Sequence, residues 1–199
     1  MKTRRGLQLG LMLLGTAMLA AGCDSSTEPD LIIPTIPTLP PASDANIIVY
    51  NNFNDENSSQ GVNNYTAFQS WNVVGGCVDL HGNGFIDVQA GNGIYVDLDG
   101  TCLTGGTIES KTAYDLEPGN YTLEFWLAGN QRINAPDTVD VSFGTLYEEV
   151  IVLPRTQQFR LFTRSIVVTT ATSARLSFHN RGGDDQGALL DEVRLRKAE

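Results

Sequence analysis

From about residue 46 onward, apolar residues recur at every second position in short runs, and Gly, Asn, Asp and Pro cut the runs apart. In "GIYVDLD" the alternation sends Ile94, Val96 and Leu98 to one face and Tyr95, Asp97 and Asp99 to the other. In "NYTLEFWLAGN" it turns Tyr121, Leu123, Phe125 and Leu127 inward and Thr122, Glu124 and Trp126 outward. "NIIVY", "WNVV", "CVDL", "FIDV", "TIESKTAY", "TVDVSFG", "EEVIVL", "FRLFTRSIVV", "SARLSFHN" and "ALLDEVRL" extend the series. Helical periodicity is nearly absent. A chain with about ten or more such segments closes as an antiparallel sandwich or barrel. Two sheets in jelly-roll order, an all-β sandwich, is the expected form.

The start of the chain is of another kind. "MKTRR" is a basic stretch, "GLQLGLMLLGTAMLAAG" is apolar and ends in small residues, and Cys23 follows in "MLAAGC". This is similar to the lipobox of bacterial lipoproteins, with Ala20 where Leu is commonest. The resemblance implies a signal peptide over residues 1–22 and a lipidated Cys23 that becomes the new N-terminus. An ordinary signal peptide with a chance cysteine is the plainer alternative. A lipid-modified cysteine carries more than one acyl chain, enough for stable anchoring. Residues 23–45, "CDSSTEPDLIIPTIPTLPPASDA", are rich in Pro, Ser and Thr and read as an extended tether. The expected location is outside the cytoplasm, lipid-anchored to a bacterial membrane on its periplasmic or cell-surface side. The remainder, residues 46–199, has the length of one domain with a substantial core.

Charge narrows the partners. The formal net charge is -10, and losing Lys2, Arg4 and Arg5 with the signal peptide takes it to -13. An acidic exported chain is a poor candidate for nucleic acid. Carboxylates suit calcium, though plain solubility explains the acidity equally well. With Cys23 set aside, Cys77 and Cys102 remain. Two cysteines in an oxidising compartment pair, and a loop of about 25 residues is worth roughly 3 kcal/mol in the chain-entropy account.

The segments "NNFNDEN", "NYTAFQSWNVVGGCVDL", "GNGIYVDLDG", "LEPGNYTLEFWLAGNQR", "DTVDVSFG" and "GGDDQGALLDEVRL" together resemble the galactose-binding-like jelly rolls. Within that group their order and spacing resemble a domain family of unknown function from plant cell-wall proteins and its exported bacterial relatives, some of which carry a PEP-CTERM sorting tail. Cys77 and Cys102 depart from the pattern. The resemblance implies a non-catalytic module that associates with polysaccharide. It also implies a structural calcium held near the first strand and by an Asp on the last. Asp191 matches the last-strand position, and Asn54 and Glu56 are the candidates near the start; Asn54 stands where relatives have Glu directly after Phe.

Asp191 is the sharpest single question. Alternation places Leu189, Asp191, Val193 and Leu195 on one face, so a carboxylate points among aliphatic neighbours. Calcium, backbone N–H groups or an arginine would each answer its need.

Two loops are rich in groups that grip hydroxyls in pairs: "AGNQRINAPDT", with Asn130, Gln131, Arg132 and Asp137, and "HNRGGDDQG", with His179, Asn180, Arg181, Asp184, Asp185 and Gln186. The alternative is that Arg132 ties down Asp184 or Asp185 and merely orders the rim. Trp126 and Tyr95, outward by parity, are candidate platforms for the apolar face of a sugar; the alternative for Trp126 is cover for a sheet edge, a neighbouring loop or the proline-rich tether. Trp71 reads as core.

Catalysis finds little support. The histidines are His81 and His179, and no nucleophile-elbow, metalloprotease or phosphate-loop motif occurs. The expectation is a carbohydrate-binding module of the cell envelope, with Trp126, Tyr95, Asn130, Gln131, Arg132, Asp184 and Asp185 as its ligand residues. The alternative is a structural or protein-interaction module.

Overall fold

Strands form at the alternating runs except "FIDV", which contributes only an isolated bridge at Phe85 before Ile86 turns the chain at φ 43°. A computed structural model describes residues 46–132 and 134–198; the proposed signal peptide, Cys23 and the tether lie outside the described residues. In chain order the strands are β1 (Ile47–Asn51), β2 (Trp71–Gly75), β3 (Asp79–Gly82), β4 (Ile94–Asp97), β5 (Thr107–Ser110), β6 (Tyr114–Leu116), β7 (Gly119–Ala128), β8 (Asp137–Phe143), β9 (Tyr147–Leu153), β10 (Arg160–Val168), β11 (Thr172–Ala174), β12 (Leu176–Asn180) and β13 (Leu189–Lys197). Among the described residues one short turn, Glu56–Ser59, interrupts them, with Asn57 and Ser58 in the left-handed region.

The strands pair antiparallel in two main sheets. One runs β10-β7-β13-β4-β3, with β1 also on β13; the other runs β2-β5-β12-β8-β9, and β6 and β11 form a short ribbon. β13 takes β4 and β1 end to end along one edge and β7 along the other. The inner faces meet in one core, where Phe125 lies edge-on to Phe178 at 5.3 Å and Trp71 meets Phe178 at 5.9 Å. Each fully buried side chain of this size contributes about 1.5 to 3 kcal/mol by leaving water. This is the jelly-roll sandwich expected from the alternation, and Trp71 is core. Cys77 and Cys102 are disulfide-bonded with Cα atoms 5.5 Å apart, joining the entry to β3 to the loop before β5.

Two expectations need correction. Trp126 and Tyr95 do point away from the main core, but they are only 6% and 0% exposed. A second apolar layer covers them: Phe159 lies edge-on to Tyr95 at 5.5 Å, with Ala128, Leu189, Val88 and Leu161 packed around. Parity gave the direction of these side chains. It could not reveal that the connections carrying Val88 and Phe159 fold over that face.

The second correction concerns β13. Its register with β7 shifts between Asp191 and Arg194, and Glu192 sits at φ 51°. The extra residue of this bulge breaks the alternation. Leu190, Val193 and Leu195 join the main core, whereas Leu189 packs in the outer layer and Asp191 stands opposite Trp126. Asp191 does not share a face with Val193 and Leu195.

Candidate functional site

The site begins with a carboxylate placed by strand alternation. Asp97 ends β4 and has no exposed surface. Its Oδ1 accepts the N–H of Gly187 at 2.8 Å and that of Asp99 at 3.0 Å. Its Oδ2 accepts Asn130 Nδ2 at 2.9 Å, and Arg132 Nη1 lies 3.7 Å from the same oxygen. Asn130 Nδ2 also reaches the carbonyl of Gly187 at 3.1 Å. One aspartate thus moors both polar loops, the one after β7 and the one before β13. A Cβ at Gly187 would stand 2.6 Å from the Asp99 nitrogen, so this close approach requires glycine.

A second set of contacts repeats the arrangement. Asp99 Oδ2 accepts the N–H of Asp184 at 3.1 Å, and Asp137 Oδ2 accepts the N–H of Asn130 at 2.8 Å. Asn180 Oδ1 accepts the N–H of Ala188 at 3.2 Å. Burial drives the electrostatics. It holds Asp97 well above the usual carboxylate range, against the N–H groups of Asp99 and Gly187. It raises Asp99 as well, and it pushes Asp137 to about 6 despite the N–H of Asn130.

The expected ligand residues therefore divide. Asn130 is fully buried and spends its amide on the scaffold. Gln131 is half-buried, and Arg132, Asp184 and Asp185 are exposed on the loops that Asp97 and Asp99 hold. Arg132 is paired with Asp97 rather than with Asp184 or Asp185. Trp126 and Tyr95 lie under the outer apolar layer and offer no platform. Asp79, His81, Asp97 and Asp99 were absent from the expected site; the outward parity of Asp97 and Asp99 in "GIYVDLD" was the available signal.

The outer face of the five-stranded sheet is open, polar along its middle strands and with Val74, Val150 and Val152 exposed toward its edges. Cross-strand rows place His179 beside Thr107 and Asp140, and Ser177 beside Glu109 and Ser142. Arg181 pairs with Asp140 at 2.8 Å and donates its backbone N–H to Thr138 at 2.8 Å, so this face runs into the loop that carries Asp184 and Asp185.

The calcium expectation meets side chains that are already engaged. Asn54 Oδ1 accepts the N–H of Ile94 at 2.8 Å. Glu56 accepts the N–H of Gln69 at 3.0 Å and the hydroxyl of Tyr65 at 3.2 Å. Asp191 accepts the N–H of Glu192 at 2.8 Å. Among the described residues, no group of three or more His, Cys, Asp or Glu side chains is placed to hold a metal ion. Burial, with Glu192 beside it, holds Asp191 well above the usual carboxylate range, the Glu192 N–H acting the other way.

No protein-family model matches the chain, and no curated protein does. The resemblance to the plant cell-wall family stands on the quoted residues alone. Solved structures are similar in fold. The cleaved adhesin domain of Lys-gingipain from Porphyromonas gingivalis has a TM-score of 0.50 at 16% identity, over 76% of this chain and 98% of that one. The CBM22-1 xylan-binding domain of a Paenibacillus barcinonensis protein has a TM-score of 0.46 at 15% identity, over 79% and 100%. A family 35 carbohydrate-binding module from Clostridium thermocellum has a TM-score of 0.45 at 13% identity, over 75% and 98%. The likeness is one of fold.

Proposed function

We propose that this chain is a non-catalytic carbohydrate-binding module of the bacterial cell envelope, held to a membrane by the lipid on Cys23. The carrying observation is the mooring of two polar loops on buried Asp97 and Asp99, which leaves Arg132, Gln131, Asp184 and Asp185 at the surface above a scaffold that is fully hydrogen-bonded at Asp97. A guanidinium, an amide and carboxylates on a fixed base suit a hydroxyl-rich polymer, because binding then loses little loop entropy. The grip is polar. No sugar ring stacks on Trp126 or Tyr95, which are covered.

A screen of the full chain against a panel of polysaccharides tests this. At least one should bind, and Arg132→Ala should weaken it on the order of tenfold, the scale of one charge-assisted hydrogen bond. No binding across the panel would overturn the reading. Cys23→Ala should move the protein from the membrane to the soluble fraction; retention at the membrane would contradict the anchor.

The alternative reading, a protein-interaction module, is favoured by the half-exposed Val150 and Val152 along β9, an edge strand. Cross-linking to envelope proteins, with loss on Val152→Lys, would support it.

A further inference from the structure

His81 is fully enclosed, yet neither ring nitrogen has a hydrogen-bond partner. Nδ1 lies 3.6 Å from Asp97 Oδ2, and Nε2 lies 3.8 Å from Asp79 Oδ2. The rings of Phe85 and Tyr95, each centred 6.1 Å away, stand edge-on to it. A neutral imidazole has one N–H and one lone pair. Between two ionised carboxylates, one nitrogen would turn its lone pair onto a carboxylate oxygen where water does not reach. One added proton removes that clash, as a second ring N–H or as a carboxyl O–H. In so tight a cluster the proton belongs to the group rather than to one residue.

We propose that Asp79, His81 and Asp97 hold one proton in common, and that this proton secures the loops of the ligand rim. Its functional meaning rests on the carbohydrate reading; the proton itself does not. The groups around the ring are Asp79 on its own strand, Asp97 and Tyr95 on β4, and Arg132 on the loop after β7, which reaches the same Asp97 oxygen. Burial first, and Asp79 beside it, raise Asp97, while the N–H groups of Asp99 and Gly187 and the charge of Arg132 oppose them.

The consequence follows from the moorings. Gly187 and Asn130 both hang on Asp97. Losing the proton adds a negative charge to the enclosed cluster; the N–H groups of Asp99 and Gly187 favour that charge but burial outweighs them, so the cluster and the loops above it open more readily to water. The folded state binds a proton that the unfolded chain has released, so this contribution is present at low pH and is lost as pH rises through the cluster's titration.

Asp79→Asn tests it. The side-chain oxygen still accepts the N–H of Asn64, which Asp79 Oδ1 holds at 2.7 Å. The new amide donates to His81 Nε2, and Nδ1–H is left for Asp97, so the added proton is no longer needed. Urea unfolding of the full chain, purified in detergent, should be followed from about pH 6 to about pH 9, spanning the ordinary histidine range and beyond. The wild-type folding constant should fall by up to about tenfold per pH unit within the titration, and the variant's should fall less steeply. Amide protection at Gly187, whose N–H is held by Asp97, should decline with pH in the wild type relative to the variant. Equal slopes and equal protection would overturn the proposal. So, in the wild type alone, would nitrogen and carboxyl-carbon NMR shifts showing a bare ring nitrogen between two ionised carboxylates at about pH 6. None of these measurements uses a ligand, so their failure is separate from failure of the carbohydrate reading.

Discussion

The amide of Asn130 donates to Asp97 Oδ2 at 2.9 Å, and both residues are wholly buried. This bond ties the loop after β7 to the end of β4. Asn130→Ala leaves Asp97 short of a donor and should cost about 1 to 3 kcal/mol in urea unfolding. Asn130→Asp should cost more, since it sets carboxylate against carboxylate. An unchanged midpoint in both variants would show that the mooring does not hold the loop.

Trp126 should matter for stability and not for sugar. Its side chain is sealed beneath the outer layer, so Trp126→Ala should lose about 3 to 5 kcal/mol, the usual cost of emptying such a site. Polysaccharide affinity measured well below the new melting point should be unchanged. Lost affinity with an unaltered midpoint would return Trp126 to the binding face.

Alternation along the strands identified the sandwich, the core role of Trp71 and the inward residues of β7. It also fixed the directions of Trp126 and Tyr95. It could not identify what lies over them, because that depends on where Val88 and Phe159 travel in space. β13 failed for a local reason: one bulged residue at Glu192 reverses every later parity, and no Gly or Pro marks the position. The two polar loops were legible as loops. Their shared anchor was not, since Asp97 is 33 positions from Asn130 and 90 from Gly187 in the chain.

Asp191 separates a protonated buried acid from a calcium ligand. Asp191→Asn keeps the shape and the acceptor for the Glu192 N–H and removes a carboxyl group whose charged form burial disfavours. It should raise the thermal midpoint at neutral pH by on the order of a few degrees. Wild-type midpoints in calcium and in chelator should coincide. A drop with chelator, together with destabilisation by Asp191→Asn, would instead establish an ion at this position.

Asp137 gives a second pH signature. Its folded value is pushed up to about 6 by burial, from an ordinary 3.8. The folded state therefore binds more protons than the unfolded chain between these values, and stability falls as pH rises through that window. Asp137→Asn keeps the acceptor for the Asn130 N–H and removes the charge. It should match the wild type at about pH 3, below the ordinary carboxylate value, and exceed it at about pH 7.5. Parallel pH curves would contradict this account.

Sugar held on the two moored loops would leave a direct trace there. Hydrogen exchange of the full chain, with and without a polysaccharide that it binds, locates the contact directly. The account predicts added protection at residues 131–132 and 181–187, with the outer layer around Trp126 unchanged. Protection confined to other surfaces, or none at saturating polysaccharide, would contradict it.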